Sequence, residues 1–351
     1  MLLYIHIPYC DSKCYYCSFN SYTDKFDTRE EYILALKKQL EFELDRFEVK
    51  ERDIESIFIG GGTPSTIKPT LFKPIFKMLT PFIKENAEIT VEANPNSATL
   101  NWLKGIFDLG VNRVSFGVQS FNEDKLKALN RSHSPQQAVD AINSAKRVGF
   151  KHISLDLIYN YQNDTKEILE KDIEKAFSLP IDHISAYELT IEDGTKFSTT
   201  PNAKQENENL AFFVSNEIKK RGFNQYEISN FGTYESYHNR GYWELKDYIG
   251  VGAGAVGFKK NIRYYPITNI DKYIENPIYT DIEILTEDEV ITEKIFLGLR
   301  SSVGVDKAIL DKDMIDRADF LVKNHKLIKE DNIYKNRDYF LSDELALYIE
   351  G

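Results

Sequence analysis

Leu2-Leu3-Tyr4-Ile5-His6-Ile7-Pro8-Tyr9-Cys10-Asp11-Ser12-Lys13-Cys14-Tyr15-Tyr16-Cys17 is a short apolar run that opens into a loop carrying every cysteine of the 351-residue chain. Three thiols at C-x3-C-x2-C spacing can wrap one inorganic cluster, whereas a structural zinc site ordinarily takes four ligands in two separated pairs. Two other readings stand beside it at this point: three reduced thiols without a ligand, and a zinc ion completed by His6. Within the run, alternate side chains point the same way. Tyr4 and His6 therefore share one face, and Leu3, Ile5 and Ile7 are expected against helices.

The run is the first of six short apolar, β-rich segments in the first two-thirds of the chain: 2–8, 56–61, 88–94, 113–120, 152–159 and 183–190. Amphipathic stretches lie between them at 29–47, 71–84, 98–109, 135–148 and 166–177. In the first of these, Tyr32, Leu34, Leu36, Leu40 and Leu44 are available for burial. Such alternation predicts βα units around a parallel sheet, here an incomplete (β/α)6 relative of the TIM barrel spanning 1–200. Barrel enzymes carry their chemistry where strands end. The polar residues gather at those ends: the cysteine loop, Gly60-Gly61-Gly62-Thr63-Pro64, Glu92, Gln119, Asp156, and Tyr187 with Glu188.

The rhythm stops near residue 200. A glycine- and aromatic-rich stretch within 201–284 reads as a barrel extension. Residues 285–351, with helix-like segments at 287–299 and 311–324 before short apolar runs at 327–341, read as a smaller, mostly helical, winged-helix-like module. A net charge of −11, from 44 Lys+Arg against 55 Asp+Glu, disfavours non-specific attraction to nucleic acid or anionic membrane. The lysines of the last module are interleaved with acids, so no nucleic-acid partner is expected. The opening run, broken by Tyr4 and His6, does not read as a signal peptide, and no apolar run approaches membrane-spanning length. Cysteines without a disulfide pattern agree with a reducing, cytoplasmic location.

The cysteine spacing resembles the signature of the radical S-adenosylmethionine (SAM) superfamily. That resemblance implies a 4Fe-4S cluster on Cys10, Cys14 and Cys17, whose fourth iron chelates SAM. The triple glycine matches the superfamily's contact to the amino end of SAM, at a turn where backbone can approach a ligand closely. Carboxylates suit the ammonium and ribose hydroxyls, and donors suit the SAM carboxylate. Tyr4 is expected over the cluster and Tyr16 against the adenine; two aromatic rings filling a barrel end are the plainer alternative.

Taken together, Tyr4-Ile-His6-Ile-Pro8-Tyr-Cys10, Gly60-Gly-Gly-Thr-Pro64, Val91-Glu92-Ala-Asn-Pro95, Gly117-Val-Gln119-Ser-Phe121, Asn130-Arg131 and Asp156-Leu-Ile-Tyr159 are similar to the HemN/HemW family. That family comprises oxygen-independent coproporphyrinogen III dehydrogenases and their haem-chaperone paralogues, and the resemblance covers nearly the whole chain. It implies SAM contacts at Tyr4, Tyr16, Gly61, Gly62, Thr63, Glu92, Gln119, Arg131 and Asp156. The dehydrogenases carry a fourth cysteine where this chain has Phe19, and an arm before the first strand; only nine residues precede Cys10 here. In their place stands His238-Asn239-Arg240-Gly241-Tyr242-Trp243, which matches the H-N-x-x-Y-W motif of the chaperone branch. This implies His238 as haem-iron ligand and Tyr242 and Trp243 against the porphyrin. On the residues alone, a loop histidine held by hydrogen bonds is the simpler reading.

One family feature is missing. After Asp156-Leu-Ile-Tyr159 the usual Gly-Leu-Pro-Gly-Gln-Thr is replaced by Asn160-Tyr161-Gln162-Asn163-Asp164-Thr165, so a reshaped loop is expected. The resemblance implies a haem chaperone with cluster, SAM and haem, an unidentified haem-acceptor protein and an electron donor, the oligomeric state staying open. The rival is a true radical-SAM enzyme, in which SAM cleavage to a 5'-deoxyadenosyl radical starts oxidation of coproporphyrinogen III or another substrate.

Overall fold

The computed structural model describes residues 1–351. The barrel is built from β1 (Leu2–Ile7), α1 (Arg29–Arg46), β2 (Ile54–Gly61), α2 (Pro69–Leu79), β3 (Ile83–Ala93), α3 (Leu100–Phe107), β4 (Arg113–Gln119), α4 (Glu123–Ala128), α5 (Pro135–Val148), β5 (His152–Tyr159), α6 (Lys166–Phe177) and β6 (His183–Glu188). The six strands pair in parallel in sequence order. β1 and β6 do not pair, which leaves the barrel incomplete.

Local sequence sets these elements. Helix α5 begins at Ser134, whose hydroxyl accepts from the Gln137 N–H while the Gln137 side chain returns to the Ser134 N–H, a reciprocal cap before Pro135. It ends at Gly149, whose φ of 111° is a left-handed stop. Helix α2 stops at Leu79, earlier than the apolar pattern suggests. Thr80 caps it, Pro81 follows, and β3 begins at Ile83. In α1 the buried stripe is Tyr32, Ile33, Leu36, Leu40 and Leu44, while Leu34 is 66% exposed. Leu34 lies about 200° round the helix from Tyr32, on the solvent side.

Residues beyond 200 extend the same sheet at both ends. After α7 (Glu208–Lys220), β8 (Asn230–Gly232) adds antiparallel to β6, and β7 (Asn224–Gln225) pairs antiparallel with β8 at the sheet edge. The chain then crosses the barrel floor as α8 (Tyr237–Trp243) and returns as β9 (Tyr248–Val251), parallel to β1. β10 (Gly257–Lys259), β11 (Ile262–Pro266), α9 (Ile270–Glu275) and the edge strand β12 (Thr280–Ile284) complete a twelve-stranded sheet. One apolar cluster runs from Leu3 through Leu210 and Val214 to Tyr273. A separate cluster, including Ile295, Leu321 and Ile349, holds α10 (Glu287–Leu299), β13 (Val305–Asp306), α11 (Lys312–Lys323), β14 (Leu327–Glu330), β15 (Ile333–Asn336) and α12 (Ser342–Glu350). Its three-stranded sheet and helices form the winged, mostly helical part. No helix is long and apolar enough to cross a membrane.

Candidate functional site

At the C-terminal ends of the strands lies a cavity of about 360 Å³. Cys10, Cys14, Cys17, Tyr16, Gly61, Gly62, Thr63, Glu92, Gln119, Arg131 and Asp156 all line it, so strand ends distant in sequence bring together the cysteines and eight of the nine expected SAM contacts. Asn94, Ser115, Gly117, Tyr187 and Glu188 join them. Ser115 and Gly117 could have been found by stepping two residues at a time back from Gln119 along β4.

The three thiols are free. Their loop is strapped on both sides: Asn130 Nδ2 donates to the Lys13 carbonyl at 2.7 Å, and the Tyr15 N–H donates to the Leu129 carbonyl. Asn20 ties the loop's exit to the Ala253 and Thr268 carbonyls. Arg131 Nη1 lies 3.1 Å from Cys14 Sγ, and the Thr63 hydroxyl donates to Cys10 Sγ at 3.4 Å. Burial pushes the Cys10 and Cys17 thiols up, so iron binding there must displace protons. No three side-chain donors meet at one metal-ligating point. The donor set is nonetheless that of an iron-sulfur site, with hydrogen-bond donors on two of the three sulfurs. The zinc alternative loses its fourth ligand: His6 Nδ1 is bonded to the Tyr4 phenol and Nε2 to the Asn20 carbonyl, each at 2.9 Å.

Glu92 Oε2 accepts from the Gly61 N–H at 3.0 Å, and Asp156 from the Ser115 hydroxyl at 3.4 Å. Burial lifts Glu92 to about 7, with Asp156 nearby adding to the rise, and burial lifts Asp156 to about 6. Two desolvated carboxylates facing one cavity create a demand for a cation and hydroxyl donors, which SAM's ammonium and ribose supply. Arg131 Nη2 bridges Asn94 Oδ1 and the Gly117 carbonyl, each at 2.6 Å, and fixes a positive charge for a ligand carboxylate. Gly61, at φ 110°, and Gly62 let the end of β2 pack closely against the end of β1: a Cβ on Gly62 would meet the Tyr9 carbonyl at 2.8 Å. Gln119 is aimed by a register shift between β4 and β5 and holds φ 69°. The residues fit both groups. Bound there, the cluster and SAM would supply one-electron chemistry, while the chain orients SAM and limits water.

Tyr4 is the exception. It pairs with Phe58, three residues before the end of β1 and roughly 10 Å down the strand; its phenol is bonded to His6 Nδ1, and it lines a second cavity, not the cysteine cavity.

Residues 4–176 match the radical SAM superfamily. A Bacillus subtilis protein named heme chaperone HemW is 35% identical over 322 residues, covering 87% of this chain and 84% of the relative. A Haemophilus influenzae protein of the same name is 40% identical over 267 residues, 73% of this chain and 69% of the relative. The chain belongs to the HemW family. The solved structure of coproporphyrinogen III oxidase (HemN) from Escherichia coli, described as a radical SAM enzyme, gives a TM-score of 0.83 at 19% identity over 99% of this chain and 89% of that one. It shares the fold.

The H-N-x-x-Y-W segment of this HemW-family chain is helix α8, and it plugs the barrel floor, opposite the cysteine end. Glu88 of β3 caps the helix, accepting from the Tyr237 and His238 N–H groups at 3.0 Å and from the Tyr234 phenol at 2.8 Å. Close packing requires Gly241, where a Cβ would meet the Leu2 side chain at 2.6 Å. His238 is fully buried. Its Nδ1 pairs with the Ser56 hydroxyl at 2.8 Å and its Nε2 with the Tyr242 phenol at 2.9 Å. Burial, helped by the Arg113 charge, holds this imidazole down at about 3. The expected iron ligand therefore has no free nitrogen in this fold. Trp243 packs on Tyr226, with ring centroids 5.6 Å apart, and Tyr242 lines a second cavity.

The atypical loop after β5 turns at its first residue. Asn160 adopts φ 64° and donates to Glu188 Oε1 at 3.0 Å. Asparagine tolerates that left-handed region better than most residues, which explains how it stands where the family has glycine. Asp164 accepts from the buried Lys125 ammonium, which also donates to the Ile158 carbonyl. Phe19, in the position of the dehydrogenases' fourth cysteine, is 64% exposed beside the cysteine cavity.

Proposed function

We propose that this chain is a cytoplasmic haem chaperone that carries a 4Fe-4S cluster on Cys10, Cys14 and Cys17, binds SAM in the adjoining cavity, takes up haem and hands it to an acceptor protein. The observation that carries the cofactor half is the meeting of the three cysteines with Tyr16, Gly61, Gly62, Thr63, Glu92, Gln119, Arg131 and Asp156 around one cavity. Relatives named heme chaperone over most of the chain support the haem half. In this reading Glu92 and Asp156 take the cationic and hydroxyl parts of SAM, Arg131 its carboxylate and Tyr16 its adenine. An external electron donor sets the cluster's redox state, and cluster and SAM act as a switch on haem handling.

The second reading is an oxygen-independent coproporphyrinogen III dehydrogenase, favoured by the HemN-like fold. The exposed Phe19 in place of a cysteine speaks against it. Anaerobically reconstituted protein, titrated with haem, is expected to show a saturable Soret change at one equivalent and to release haem to an apo-acceptor. Unsaturable binding, or protoporphyrinogen formed from coproporphyrinogen under turnover with SAM and a reductant, would replace the chaperone reading.

A further inference from the structure

A second cavity, of about 490 Å³, lies where the barrel floor meets α10. Tyr242 comes from α8, Leu245 from the turn after it, Tyr248 from β9, Arg263 from β11, and Phe296 and Leu297 from α10. Its volume falls within the range of roughly 300–1,000 Å³ usual for small-molecule sites. Seven of the nine lining residues are hydrophobic or aromatic, and the two charged ones, Arg263 and Glu293, sit together. A sugar or nucleotide would find few partners on such walls. A flat apolar molecule with a carboxylate at one edge would find aromatic faces and a guanidinium.

We propose that this cavity is the haem seat, with the macrocycle between α10 and the α8–β9 side and a propionate at Arg263. The proposal rests on the haem-chaperone reading and gives haem a place that the buried His238 does not offer. Arg263 is held in position by Glu293 and, at 3.7 Å, by Glu283, and a guanidinium has five N–H donors with which to take a further carboxylate. Tyr242, whose phenol contacts His238, is the member of the H-N-x-x-Y-W segment that reaches the cavity. Tyr4 lines it too and is bonded to His6, whose other nitrogen holds Asn20 beyond the cysteine loop. Occupancy is thereby linked through two hydrogen bonds to the loop's exit.

The experiment is a haem titration of reconstituted wild type, Leu297→Trp and Arg263→Gln, with thermal melts and iron content verifying that each variant is folded and loaded. Leu297→Trp fills the cavity and is expected to weaken haem binding by about tenfold or more, a shift of about 1.4 kcal/mol. Arg263→Gln, a change nearer the surface that keeps the experiment decisive if the tryptophan variant does not fold, is expected to weaken haem several-fold but leave its dimethyl ester unaffected. Saturable wild-type binding with both variants unchanged would overturn the seat while leaving the chaperone reading intact. Absence of saturable binding in the wild type would remove both.

Discussion

Arg131 Nη1 stands 3.1 Å from Cys14 Sγ, while Nη2 of the same guanidinium holds Asn94 and the Gly117 carbonyl. One cation thus touches the proposed cluster ligand and the floor of the proposed SAM pocket.

Cys14→Ser is expected to abolish cluster assembly, measured as iron and sulfide content after reconstitution. Arg131→Gln is expected to retain the cluster but lower its midpoint potential, because a nearby positive charge favours the more negative, reduced state. An EPR-monitored redox titration reads this directly, and an unchanged potential would separate Arg131 from the cluster.

SAM affinity should rise with pH through the window from about 6 to about 7, where Asp156 and Glu92 ionise. The sign for stability is opposite. A carboxylate whose folded value is raised above its unfolded one stabilises the fold below the unfolded value, and that contribution is lost as pH rises through the folded value. Glu92→Gln is therefore expected to melt at a higher temperature than wild type at pH 8 while losing SAM binding. Calorimetry of both proteins at pH 5.5 and pH 8 checks both halves.

Arg113 is buried in the barrel interior with its Nε unpartnered and Nη1 on Thr90 Oγ1 at 3.4 Å. Its charge helps hold Glu92 and Asp156 down against burial. Arg113→Met is expected to move the pH midpoint of SAM binding upward, and Arg113→Lys to restore part of the shift. An identical pH profile in the methionine variant would leave Arg113 a purely structural residue.

Glu88→Gln removes a charged cap that serves two helix N–H groups and a phenol. The expected cost is about 1–3 kcal/mol, read by denaturant unfolding. Because α8 lies at the floor and not at the cysteine cavity, reconstituted iron content should stay at the wild-type level.

Much of the site was legible because it is written locally. C-x3-C-x2-C fixes three thiols in one loop, and a glycine triplet after a buried strand marks a turn open to a ligand. The two-residue period of each strand orders Ser115, Gly117 and Gln119 on one face. Six alternating βα segments then require a parallel sheet, and strand ends in such a sheet converge, which is why residues from 10 to 156 meet in one cavity. The same periodicity did not say how far along a strand a residue sits from the chemistry. Tyr4 shares the face of His6 but lines the second cavity and not the cysteine cavity, and Leu34 is apolar yet turned to solvent. Nor did sequence reveal that Asn160 could take a glycine's conformation with Lys125 and Asp164 bracing the turn. The placement of His238 was decided by contacts with Ser56, 182 residues away in sequence, and by the Glu88 cap that draws α8 under the barrel. Spacing along a chain determines which groups share a loop or a face; only the packing of distant segments determines which of them remain free to bind anything.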